Sequence, residues 1–173
     1  HGAHLSFNNL LDLDSCRRVL EEFSLPACVI VKHNNPCGVA VAETAAAAYE
    51  KAFNCDPVSA YGGVIAINRV VDEAVARLIS QIFVEVLWAP GYNEDAFDIL
   101  AAKKDIRILT GQLNRDTCGS FDMKRIVGGM LVQDWDCEVD QRENMTVVTS
   151  RAPTEQEWGD LLFSWRVAKH TKS

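Results

Sequence analysis

The stretch that most constrains this chain is residues 27–38, Ala-Cys-Val-Ile-Val-Lys-His-Asn-Asn-Pro-Cys-Gly. Residues 27–31 are apolar without a break. A run this short and continuous suits a strand covered on both faces. It ends in Lys32-His33, the most chemically capable dipeptide in the sequence. Asn34-Asn35-Pro36 then turns the chain, because Pro36 has no N–H and restricts the residue before it. Gly38 adds backbone freedom at the exit. A cation and a base therefore stand at the carboxyl end of a buried strand, where ligands bind in open α/β sheets.

The flanking segments alternate in period. Residues 6–23 place Leu13, Cys16, Leu20 and Phe23 at helical spacing, and Ser24-Leu25-Pro26 ends that helix. Residues 43–54 are alanine-rich, with Tyr49, Ala52 and Phe53 on the apolar side of a second helix. Asn54-Cys55-Asp56-Pro57 breaks it. Tyr61-Gly62-Gly63 leads into a strand at 64–67, and Asp72 is an N-cap for a helix carrying Val75, Leu78, Ile79, Ile82 and Phe83. Strands at 84–88 and 106–109 bracket a helix that runs from Asn93 to Lys103. This alternation predicts an α/β domain with right-handed crossovers and a mainly parallel sheet. Residues 111–120 read as loop, and 124–134 and 145–149 as extended. Thr154 and Glu157 form a capping box for a last helix with a stripe of Trp158, Leu161, Leu162 and Trp165. No stretch reads as a linker between domains.

A length of 173 residues suits one domain with a sizeable core. The net charge of −7 argues against a broad nucleic-acid or membrane surface, while leaving room for a small anionic ligand held by local dipoles. No apolar run is long enough to span a bilayer, and no signal peptide is visible, since His1-Gly2-Ala3-His4 lacks a charged n-region and an apolar h-region. The six cysteines include no C-x-x-C pair and read as reduced thiols, which favours a cytoplasmic location.

At Lys32-His33 the neighbouring ammonium disfavours protonation of the imidazole, so His33 is expected to be neutral and basic near neutral pH. Lys32 offers three donors and a charge for a developing oxyanion. Neighbours in a strand point to opposite faces, so both reach one ligand only if the chain has begun to turn there. The plainer reading is a solvated Lys-His at a strand end. Gly62-Gly63 either admits a ligand close to the backbone, with N–H groups free to donate, or makes a simple turn. Glu85, alone in an apolar run, is either paired and used or faces water from a half-exposed strand. Gly128-Gly129 reads as a bulge or a close packing point, and the four tryptophans as mostly core. Pro36-Cys37 is similar to half of the P-C-x-x-C of zinc deaminases, but residue 40 is Ala and no H-x-E occurs. His33 and Cys37 have the spacing of a ligand pair with no second pair beside them, so zinc is not expected. No P-loop, G-x-S-x-G or H-E-x-x-H is present.

The segments Val31-Lys32-His33-Asn34-Asn35-Pro36-Cys37-Gly38 and Asp56-Pro57-Val58-Ser59-Ala60-Tyr61-Gly62-Gly63 resemble the AICAR transformylase part of the bifunctional purine-biosynthesis proteins. So do Leu5-Ser6-Phe7-Asn8-Asn9, Phe83-Val84-Glu85-Val86, residues 125–134, and Trp165-Arg166-Val167-Ala168-Lys169-His170-Thr171-Lys172-Ser173. The resemblance runs from end to end.

It implies a three-layer α/β/α, cytidine-deaminase-like fold, with residues 1–173 as one of two such subdomains. It implies formyl transfer from 10-formyltetrahydrofolate, the co-substrate, to the 5-amino group of AICAR, late in IMP biosynthesis. A cyclohydrolase domain would close the ring elsewhere in the parent. The family's Lys-His pair falls on Lys32 and His33, its nucleotide-contacting glycine on Gly62 and its nucleotide-contacting acid on Glu85. His33 would take the proton of the attacking amine, and Lys32 would stabilise the oxyanion or assist the departing folate nitrogen. Some members bind potassium near the segment matching Ala168 to Ser173. The family works as a cytosolic homodimer whose active sites form across the interface. The cyclohydrolase domain, the second subdomain and further nucleotide contacts lie off this chain, which reads as part of a longer protein. The rival expectation is a catalytically incomplete piece that serves as a nucleotide-binding or dimerising scaffold.

Overall fold

The computed structural model describes residues 1–113, 119–138 and 141–172. Cys118, much of the expected loop at 111–120, and Ser173 lie outside the described residues. The chain divides into two compact units, His1–Leu113 with Phe163–Ser173, and Asn114–Leu162.

The first unit is built on a five-stranded sheet in the order β2-β1-β3-β4-β5. Its strands are β1 (Ala27–Lys32), β2 (Asn35–Val41), β3 (Val64–Ile67), β4 (Val86–Ala89) and β5 (Arg107–Thr110). β3, β4 and β5 pair in parallel, while β1 is antiparallel to both of its neighbours. Four strands thus share one direction and β1 alone opposes them. The α/β class and mainly parallel sheet are as expected, with the helices in layers on the two faces.

Residues 27–31 are fully buried, as the unbroken apolar run requires. The period of two divides them. Val29 and Val31 enter one core with Leu13, Cys16, Val19 and Leu20 of α1 (Phe7–Glu21). Cys28 and Ile30 enter the opposite core, where α2 (Ala45–Cys55), α4 (Glu73–Ile79) and α5 (Glu94–Ala101) supply residues such as Tyr49, Val75 and Leu100. A side chain of this size buried fully contributes about 1.5–3 kcal/mol, so β1 is the chief anchor of both layers.

β2 does not show in the sequence as a strand, because its first four residues are Asn35-Pro36-Cys37-Gly38. It is an edge strand with a register shift opposite Ile30 and Val31, a place where proline is tolerated. The reversal before it lies at His33-Asn34, ahead of the expected Asn34-Asn35-Pro36, and is closed by the Lys32–Asn35 pair. Gly38 serves close approach instead of freedom: a Cβ there would stand 2.1 Å from the Ala52 carbonyl of α2.

Capping explains the helix starts. Ser6 and Asn9 form a reciprocal capping box on α1, and Thr44 and Asp72 cap α2 and α4. Asp56 caps the short α3 (Pro57–Ala60). Asn93 precedes α5 without a side-chain cap bond.

In the second unit β6 (Phe121–Ile126) and β7 (Gly129–Asp134) form a hairpin. Gly128-Gly129 is therefore neither a bulge nor a packing point: Gly128 lies in the hairpin turn, and a Cβ on either glycine would meet none of the described residues beyond its chain neighbours within 4 Å. Residues 145–149 are not a strand. The capping box at Thr154 and Glu157 opens α6 (Glu155–Lys169), whose residues from Phe163 onward belong to the first unit. The expected stripe does not face a core. Leu161 and Trp165 are exposed, and Trp158 lies against the Arg142 guanidinium. Phe163 and Val167, four apart, pack on the α1 side instead, with Phe163 against Phe23. Of the four tryptophans, only Trp88 is buried. No helix among the described residues is long and apolar enough to cross a membrane.

Candidate functional site

Because β1 runs against its neighbours, its carboxyl end meets their amino ends. Val31, Val64 and Val86 lie side by side across the sheet. One residue beyond that row are Lys32, Gly63 and Glu85. The ladder continues there, with the Glu85 N–H donating to the Gly63 carbonyl at 3.1 Å. Lys32, Gly62 and Glu85, far apart in sequence, thus stand along one edge of the sheet. Lys32 stands at the carboxyl end of its own strand, as expected, and, because β1 runs against its neighbours, beside the amino ends of β3–β5.

Lys32 is half-buried, and its Nζ donates to the Tyr61 carbonyl at 2.8 Å. That bond ties the end of β1 to the Tyr61-Gly62 turn and leaves two of its three N–H donors. The charge is also felt at Asp56, whose carboxyl is held below its usual value by hydrogen bonds from Ser59, with Lys32 adding to them. His33 begins the turn, so the chain has bent between the two residues as a shared ligand requires. His33 and Asn34 both have left-handed backbones, φ +54° and +68°, the pattern of a two-residue type I′ reversal. His33 is exposed and its ring has no hydrogen-bond partner among the described residues.

Asn34 and Asn35 are held. The Asn34 N–H donates to Asp12 Oδ1 at 2.8 Å and Ser15 Oγ donates to Asn34 Oδ1 at 2.8 Å. The Lys172 N–H donates to Asn35 Oδ1 at 2.7 Å. The residues before Lys172 are fastened too: Lys169 Nζ lies 3.2 Å and His170 Nε2 2.8 Å from Glu22 Oε1. Burial raises the Glu22 carboxyl, but these two partners outweigh it and hold it below its ordinary value.

Gly62 has φ +72°, which only glycine adopts without strain. Its N–H is not free, as expected for a ligand cradle, but donates to the Phe83 carbonyl at 2.8 Å; the Gly63 N–H donates to Ala60 at 3.1 Å. Gly62 therefore shapes the edge more than it donates there. Glu85 is half-buried just before β4, and its Oε2 accepts from Asn9 Nδ2. Asn9 is itself buried and locked in the α1 capping box. The isolated carboxylate is thus paired with a neutral donor. Sequence reasoning missed Asn9, Asp12 and Ser15. Their spacing of three along one helix, beginning at a capping box, was the available signal.

Beside this edge a cleft of about 360 Å³ is lined by residues that include Tyr61, Ile79, Phe83, Leu100, Lys103 and Lys104. None of Lys32, His33, Gly62 and Glu85 lines it. Among the described residues no three His, Cys, Asp or Glu side chains gather as a metal site would need. Cys16, Cys28, Cys37 and Cys55 are thiols, and burial pushes the first three upward, away from reactivity.

The model of the AICARFT/IMPCHase bienzyme family matches residues 1–173, the whole chain. The chain belongs to that family. Over the same 173 residues it is 49% identical to a bifunctional purine biosynthesis protein, PurH, of Caldicellulosiruptor saccharolyticus. The match covers 100% of this chain and 34% of that relative, so the chain spans about a third of its length.

Proposed function

We propose that this segment supplies the Lys-His centre of a purine-biosynthetic formyltransferase that moves a formyl group from 10-formyltetrahydrofolate to the 5-amino group of AICAR. The observation that carries the reading is the convergence of Lys32, Gly62 and Glu85 on one sheet edge, next to a histidine whose backbone is fixed and whose ring is free. The folate supplies the formyl carbon. As the amine nitrogen bonds to that carbon, the amine must lose a proton. His33 is the base within the site that can take it. Lys32 presents its two remaining donors and its charge to the formyl oxygen, where negative charge develops. Breaking of the bond to the folate nitrogen completes the transfer, and that nitrogen takes up a proton. Gly62 and Glu85 are the nucleotide contacts of this reading.

Potassium remains an expectation of the resemblance. The Val167 and Ala168 carbonyls already accept from His170 and Thr171, and no step is routed through an ion. Partnership with a second copy and a cytoplasmic location belong to the same proposal.

The test is formyl transfer by the whole protein that contains this chain. His33→Ala is expected to lower turnover by about 10²–10⁴-fold and Lys32→Ala by about 10²–10³-fold, with folding intact. Wild-type turnover by both variants would refute the assignment. Nucleotide binding without formyl transfer by the wild-type protein would favour the scaffold reading.

A further inference from the structure

We propose that α1 is the positioning element of this site, and that Asp12 and Ser15 set His33 through Asn34. The kinetic part rests on the formyl-transfer reading; the geometry does not. A pair of side-chain-bearing residues in left-handed conformation persists only where its surroundings hold it there. At His33-Asn34 the holders sit on one side of α1. Asp12 Oδ1 accepts the Asn34 N–H and Ser15 Oγ donates to Asn34 Oδ1, each at 2.8 Å. Asn9, three residues before Asp12, donates to Glu85. Positions 9, 12 and 15 follow one another along a helix face. Cys16, Val19 and Leu20, further along the same helix, are buried in the core, so the three polar residues have a rigid base. Lys172 holds Asn35 from the far side of the turn.

The backbone after His33 is therefore tied at Asn34 and Asn35, while the imidazole is left free to meet a proton. A base acts only within hydrogen-bond reach of the proton it takes. A misplacement of about 1 Å costs on the order of 10²-fold in rate. Asp12 and Ser15 are positioning residues: they fix where the imidazole stands, and the imidazole does the chemistry.

The experiment compares Asp12→Ala, Asp12→Asn and Ser15→Ala in the whole protein, reading formyl-transfer kcat, the KM for AICAR, and the His33 ring resonances by NMR. Asp12→Ala and Ser15→Ala are expected to lower kcat by about 10- to 100-fold with KM within about twofold. Their His33 resonance is expected to broaden or split. Asp12→Asn keeps an oxygen that can accept the Asn34 N–H, and is expected to restore kcat to within about threefold of wild type, with one sharp resonance. Unchanged kcat and an unchanged His33 resonance in either folded alanine variant would overturn the proposal, as would a loss confined to KM. Should the wild-type protein show no formyl transfer, the functional reading falls and the NMR comparison alone decides. A single wild-type resonance that broadens in the alanine variants upholds positioning, and identical spectra overturn it.

Discussion

Two hairpins in this chain reverse direction over two residues, and they are stabilised in opposite ways. Between β6 and β7 the turn is Val127-Gly128, in which only Gly128 is left-handed, and both strands are exposed for most of their length. Between β1 and β2 the turn is His33-Asn34, both left-handed and neither glycine. The first turn uses the residue that adopts the conformation without penalty. The second places side chains there and offsets the strain with hydrogen bonds from α1, on the end of a strand buried on both faces. Strain held in place by dedicated partners is what a site that must aim a side chain requires. A free turn needs none of it.

Three substitutions sharpen that contrast. The largest effect is expected at Gly38, where β2 passes against α2. Gly38→Ala drives a methyl into the Ala52 carbonyl, and is expected to cost about 3–5 kcal/mol in urea unfolding of the first unit. Next come the two turns themselves. Asn34→Ala loses the Ser15 bond and the tolerance of asparagine for a left-handed backbone, for about 2 kcal/mol. Gly128→Ala should cost about 1 kcal/mol, seen only in hydrogen exchange of β6 and β7. Equal costs at the two turns would remove the distinction between them.

The smallest effect concerns the segment that reaches Asn35. The Glu22 carboxyl is lowered in the folded chain, so its contribution is present above its ordinary value of 4.5 and is lost as pH falls through the folded value. Exchange protection at the end of α6 should therefore decline below that pH, by about 0.5 kcal/mol. Glu22→Gln should show the loss already at neutral pH. Protection independent of pH in both proteins would separate Glu22 from the anchoring of residues 169–172.

What the sequence made legible was local. The apolar run at 27–31, the caps at Asp72 and Thr154, and the strand at 64–67 are each specified by a few neighbouring residues, and they stand where those residues place them. What it hid depends on distant partners. The direction of β1 is decided by pairing with β3, more than thirty residues away, and that direction sets Lys32 beside the amino ends of the other strands. β2 was masked by Pro36 and Gly38, which an edge strand with a bulge accepts. The α6 stripe is hidden because bulk at Trp158 and Trp165 outweighs the smaller pair Phe163 and Val167, which packs. Lys32 and His33 are visible as chemistry; the partner of Glu85 is Asn9, which lies far from it in sequence. Asp12 and Ser15 were invisible because charged and hydroxyl residues on a helix usually face water.

The most direct test of the central claim is chemical-shift mapping of AICAR on this chain. The amides of Lys32, His33, Gly62 and Glu85 are expected to move together as nucleotide is added, with Lys32→Ala weakening the response. Shifts confined to the cleft at Lys103-Lys104, or to the β6–β7 hairpin, with those four residues unmoved, would contradict it.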